Sequence, residues 1–250
     1  MKNLSQSFLL LLSLIVITNV VSSFSSQQAY AWKVVKKEEG IVVSQRSELD
    51  RDLPSFKGTG LVNGNMYEIL AILRDGPRRK EWMSKSGKTL VLSRKSVFEA
   101  ISYQQTLAPF PVSDREVILH TQVYLRENPR EIIATFDGVK WTKPIPGVDR
   151  DDFVWMPYLK GYWRLVEKGE NQTEVTYMVN TDPGGMLPNM LIRRITHYLP
   201  LWTLMGLRKQ VKRKKGFYKD FLSQYDPSLT KNTPKAVPPP PPASVLKYLR

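Results

Sequence analysis

Apolar and polar positions alternate with a period of two through most of the chain from Ile41 to Val179. Ile41–Ser47 and Phe56–Val62 read as short strands. A helical period follows: Met66, Ile69, Leu70 and Leu73 recur on one face behind Asn65 and Glu68, which have capping-box spacing. Asp75-Gly76-Pro77 stops that helix. The period of two then returns in Thr89–Ser93, Val97–Thr106, Glu116–Arg126, Glu131–Phe136, Phe153–Glu167 and Thr173–Val179. Val117, Leu119, Val123 and Leu125 share one strand face, as do Val175, Tyr177 and Val179. Short turns such as Lys85-Ser86-Gly87 and Glu127-Asn128-Pro129 join these segments, which predicts an antiparallel meander. Beyond Asp182-Pro183-Gly184-Gly185, a stripe of Leu187, Leu191, Ile195, Tyr198, Trp202 and Met205 predicts one long helix, kinked at Pro200. The order predicts an α+β domain over residues 32–225. The economical packing is a curved antiparallel sheet wrapped around the C-terminal helix, which can leave an apolar cavity between them.

The two ends break this pattern. Lys2, an apolar run from Phe8 to Val21 and the small-residue site Ala29-Tyr30-Ala31 predict a signal peptide over residues 1–31. The run is shorter than the roughly 20 residues that span a bilayer, so cleavage before Trp32 is favoured over anchoring. The expected location is outside the cytoplasm: periplasmic in a Gram-negative bacterium, secreted otherwise. Residues 226–250 are Pro-rich, with a run from Pro238 to Pro242, and are expected to form a disordered tail.

Composition removes several chemistries. The 250 residues include no Cys, which excludes disulfides, thiolate nucleophiles and Cys-ligated zinc. Two separated His, His120 and His197, cannot build a His-rich metal site. No cofactor and no metal are expected. Lys and Arg number 37 against 23 Asp and Glu, a net charge of +14. The excess concentrates between Pro183 and Lys219, which contains no acidic residue. Arg208, Lys209, Lys212, Arg213, Lys214 and Lys215 form the candidate contact with an anionic membrane surface. A solvated helix face is the plainer alternative. Nucleic acid is disfavoured by export and by the lack of an accompanying motif.

The chain holds no G-x-S-x-G, H-E-x-x-H or Walker loop. It does hold four ordered segments: Arg79-Lys80-Glu81-Trp82, Pro109-Phe110-Pro111-Val112-Ser113-Asp114-Arg115-Glu116, Gly161-Tyr162-Trp163-Arg164-Leu165 with Glu174-Val175-Thr176-Tyr177, and Asp182-Pro183-Gly184-Gly185-Met186-Leu187-Pro188. Together they resemble the signatures of the START lipid-transfer domain family. The resemblance implies the helix-grip fold, with a tunnel that takes one lipid. It implies a lid formed by the loop at Leu107–Ser113 and the helix start at Met186–Tyr198. It also implies that Arg115 reaches a lipid phosphate, as in phospholipid-carrying relatives. The alternative is a structural Arg115 paired with Asp114 or Glu116. Glu116 replaces the usual Asp, and Thr121 stands where some sterol carriers have a second Arg.

The candidate lipid-binding residues are Tyr103, Phe110, Arg115, Trp155, Tyr177, Met186, Leu191 and Ile195. Aromatics on the strands could line the tunnel or cage a choline-like cation. The leading expectation is a monomeric, non-catalytic carrier that binds a phospholipid or sterol-like lipid and touches an anionic membrane transiently. Two alternatives stay open. One is a helix-grip enzyme acting on a lipid or polyketide through Arg115, Glu99, Tyr103 and His120. The other is a ligand sensor signalling through the Pro-rich tail.

Overall fold

Ten strands form one sheet in the order β1-β2-β3-β10-β9-β7-β6-β5-β4, with β8 paired to β6 outside this path. They are β1 Lys33–Glu38, β2 Ile41–Glu48, β3 Arg51–Val62, β4 Ser86–Ser96, β5 Glu99–Thr106, β6 Arg115–Glu127, β7 Arg130–Gly138, β8 Val154–Trp155, β9 Tyr158–Gly169 and β10 Gln172–Asp182. All neighbours are antiparallel except β8 on β6. The helices are α1 Met66–Arg74, α2 Asn189–Arg213, α3 Lys219–Tyr225 and α4 Ala243–Tyr248, with a 3₁₀ turn at Gly76–Glu81. This computed structural model describes residues 31–249 except positions 50, 150–152, 170, 186, 188, 231 and 232; at 52 and 189–196 it describes the backbone alone. The expected signal segment therefore lies outside the described residues, save Ala31.

The expected α+β helix-grip architecture is present. Asn65 caps α1 by accepting the Glu68 amide at 2.8 Å. Helix α2 lies on the inner face, mainly against β3 and also against β2, β10 and α1. Two glycines permit that approach. A Cβ at Gly58 would sit 2.9 Å from the Pro200 ring, and one at Gly206 would collide with the Trp82 carbonyl. Gly206→Ala is expected to cost about 1–3 kcal/mol of stability, seen as a drop of several degrees in the thermal midpoint.

The buried face of α2 matches the predicted stripe only in part: Tyr198 and Met205 are partly buried against the core. Leu201, Leu204, Leu207 and Val211 are buried, whereas Trp202 is exposed and stacks on Tyr198. The reason is visible one turn further on. A stripe through Trp202 and Met205 runs into Lys209 and Lys212, whereas one through Leu204 and Leu207 continues to Val211.

The tail also departs from expectation. The described residues between 226 and 249 pack back onto the domain. Asp226 is buried and accepts from the Asn65 amide group at 3.1 Å. Gln224 accepts the Lys235 amide, Ala236 packs on the core, and Pro238 is buried. Pro239 accepts the Leu125 amide at 3.0 Å, on an edge of β6 that β5 has already left. Tyr248 then meets Tyr162 edge-on at 5.6 Å and donates to the Met178 sulfur. The extended backbone of a Pro run suits such a strap, because it needs no internal hydrogen bonds.

Candidate functional site

A cavity of about 230 Å³ lies between the inner sheet face and the helices. It exceeds the roughly 150 Å³ of an engineered apolar cavity that holds benzene. Alternate residues of the strands line it: Val117, Leu119, Thr121 and Val123 from β6, Ala134 and Phe136 from β7, and Tyr177, Val179 and Thr181 from β10. Its deep wall is aromatic. Trp163 stacks on Tyr177 at 4.3 Å, and Trp82 meets Trp163 edge-on at 6.0 Å. Burial pushes the Tyr177 hydroxyl up to about 12, the Arg79 charge acting against it.

Arg79, on the 3₁₀ turn, is one of the charged groups that line the cavity. It donates to Gln104 Oε1 at 3.1 Å and to the Leu73 carbonyl at 3.2 Å. Its Nε is buried and has no hydrogen-bond partner among the described residues, and no carboxylate pairs with it there. Burial lowers its pKa below the usual guanidinium value. A cation held in an apolar wall without a counter-ion favours an anionic group in the space it faces. In the sequence Arg79 stands out only as part of the Arg79-Lys80-Glu81-Trp82 segment. The one local signal was its place one turn beyond the Gly76-Pro77 helix stop.

The expected site residues divide. Tyr177 lines the cavity. Arg115 also lines it, but its guanidinium donates to the carbonyls of Ser113, Pro183 and Gly184. These bonds tie the Asp182–Gly185 turn to the start of β6. The structural partners are thus main-chain carbonyls rather than Asp114 or Glu116. Tyr103 and Trp155 do not line the cavity; they pack with Ile118 and Ile145 on the outer face. Register decides this: Tyr103 opposes Ile118, the neighbour of two inward residues, Val117 and Leu119. Tyr162 is also outward, under Tyr248, and of the strand aromatics considered for a cage only Trp163 and Tyr177 reach the cavity. Phe110 is 98% exposed at the tip of the loop after β5, whose Leu107 and Ala108 line one end of the cavity. Met186 lies outside the described residues, as do the side chains of Leu191 and Ile195.

The residues considered for catalysis do not converge. His120 Nε2 lies 2.8 Å from Glu99 Oε1, and that hydrogen bond holds the Glu99 carboxyl below its usual range. Tyr103 faces away from the cavity, and Arg115 is bound at the Ser113 and Pro183–Gly184 carbonyls. The basic cluster divides as well. Arg208 grips the Leu61 and Glu39 carbonyls, while Arg213 and Lys214 pair with Glu81 at 3.3 Å each. Lys209, Lys212 and Lys215 are exposed and unpaired among the described residues.

A curved antiparallel sheet closed over an apolar cavity by a long helix defines a helix-grip domain. Within that class the chain is similar to START-type domains. No family profile matches it. It is 28% identical over 187 residues to an uncharacterized protein of Pseudomonas aeruginosa, covering 73% of this chain and 88% of that one. It is 25% identical over 173 residues to mouse START domain-containing protein 10, spanning 67% of this chain and 57% of that protein. Among solved structures, a STAR-related lipid transfer protein fragment from Xanthomonas axonopodis superposes with a TM-score of 0.65 at 27% identity, covering 72% of this chain and 98% of the fragment. Human STARD10 gives 0.67 at 21% identity over 89% and 90% of the two chains.

Proposed function

We propose that the protein binds one lipid in the cavity and carries it between membranes without chemical change, its acidic headgroup paired with Arg79. The carrying observation is the Arg79 guanidinium in the lining of a mostly apolar cavity, without a carboxylate ion-pair partner among the described residues. Each acyl methylene exposed to water would cost about 0.8 kcal/mol, so an apolar cavity that encloses the chain offsets the cost of taking a lipid out of a bilayer. The START-type relatives named for lipid transfer support this reading. Removal of residues 1–31 and action outside the cytoplasm belong to the same proposal. The bases that would touch an anionic leaflet are Lys209, Lys212 and Lys215, because Arg208, Arg213 and Lys214 are occupied within the fold.

Transfer of fluorescent phosphatidylglycerol between donor and acceptor vesicles tests this. Wild-type protein is expected to accelerate transfer over the spontaneous rate. Lys209→Glu, Lys212→Glu and Lys215→Glu together should slow it at low salt, and the difference should shrink as screening shortens to about 3 Å at 1 M. Transfer no faster than without protein would overturn the carrier reading.

A further inference from the structure

Part of the cavity lining lies at the sheet edge, on a strand whose residues reach solvent. Strand β4 is the edge of the sheet. Val91 lines the cavity from this strand yet is 41% exposed. Arg94, also lining the cavity, is exposed three residues on. Facing them is Arg74, the last residue of α1. Its guanidinium lies over the Phe221 ring at 4.7 Å, and its Nε is buried with no hydrogen-bond partner among the described residues. No described carboxylate forms an ion pair with Arg74 or Arg94. Burial, with the Arg94 charge behind it, lowers Arg74 to about 10.

A helix C-terminus favours one basic side chain. It does not account for a second guanidinium brought to the same wall, nor for the orphaned N–H. The two arginines continue toward Arg79, which donates to the carbonyl of Leu73, the neighbour of Arg74. On β5, Arg94 stands opposite Ala100 and Arg79 binds Gln104, four residues further along the strand. At about 3.3 Å per residue those positions are about 13 Å apart. Arg94 in solvent, Arg74 half-buried and Arg79 at the deep wall therefore form a graded cationic path. Such a path matters physically, because a phosphate or carboxylate crossing an apolar wall unpaired meets a steep desolvation cost.

We propose that Arg74 and Arg94 form a second anion-binding site at the sheet-edge side of the cavity, between α1 and strand β4, where the phosphate or carboxylate of the cavity's lipid is held on its way to Arg79. This rests on the carrier reading above, and the test separates the two. Dodecyl phosphate, kept monomeric, and dodecanol are titrated calorimetrically into the full mature chain. The variants are Arg94→Gln, Arg74→Gln with Arg94→Gln, and Arg79→Gln. Arg94 is exposed, so its single variant tests the site without disturbing the core. Loss of one charge-assisted pair is expected to weaken dodecyl phosphate about tenfold and to leave dodecanol unchanged. Unaltered dodecyl phosphate binding in both Arg94 variants would overturn the second site. If Arg79→Gln then loses affinity, the carrier reading stands without it; if wild-type protein binds neither probe, that reading falls too. Inorganic phosphate binding as tightly as dodecyl phosphate would mark a free-anion site and overturn the lipid assignment.

Discussion

Truncation of residues 227–250 is expected to lower the melting temperature of the protein by about 6 °C or more. The removed strap covers Tyr162 and Met178 on the outer sheet face, which are 3% and 1% exposed with it in place. Full exposure of two such side chains costs about 3–6 kcal/mol. For a domain of this size each kcal/mol moves the midpoint by about 2–4 °C. The truncation also leaves the Leu125 amide without its Pro239 acceptor. Differential scanning calorimetry of the full and shortened chains decides the matter, and equal midpoints would show that the strap contributes nothing. The outcome bears on function, because a sensor reading needs a tail free to meet a partner. A tail whose Tyr248 is engaged on Tyr162 and Met178 is an integral part of the domain.

The second large effect is expected at Arg79. Arg79→Leu should reduce retention of acidic lipids about ten- to a hundredfold, the scale of one charge-assisted hydrogen bond. Neutral lipids should be retained as before. The melting temperature should change little, since the substitution forfeits the Gln104 and Leu73 bonds but also removes a buried cation without a counter-ion. Lipid extraction and mass spectrometry of the two proteins, purified in parallel, supply the comparison. Equal loss of acidic and neutral lipids would mark Arg79 as a packing residue only.

The sheet was legible in the sequence because period-two alternation is a local property. Val117, Leu119 and Val123, with Tyr177 and Val179, fall on the cavity face as their spacing demanded. Pairing register is not local. Tyr103 belongs to the outer face through its opposition to Ile118, and nothing within β5 alone reveals this. The phase of α2 was legible only in part: Tyr198 and Met205 pack against the core, but Trp202 is exposed, and the lysines that follow mark the solvent side. The strap was hidden for another reason. A Pro run shows that a segment cannot build a core of its own, but not that it lies against one built by others. Arg79 stood in a recognised motif, yet its isolation from carboxylates is a fact of three dimensions.

The most direct test is native mass spectrometry of the mature protein beside its Leu119→Trp variant. Leu119 is 4% exposed and projects from β6 into the cavity, so an indole there fills the space a chain would occupy. The wild-type protein is expected to carry the mass of one lipid per chain, and the folded variant to appear at its bare polypeptide mass. A variant that retains the same lipid mass as wild type, or a wild-type protein that remains bare after incubation with phosphatidylglycerol vesicles, would contradict lipid binding in the enclosed cavity.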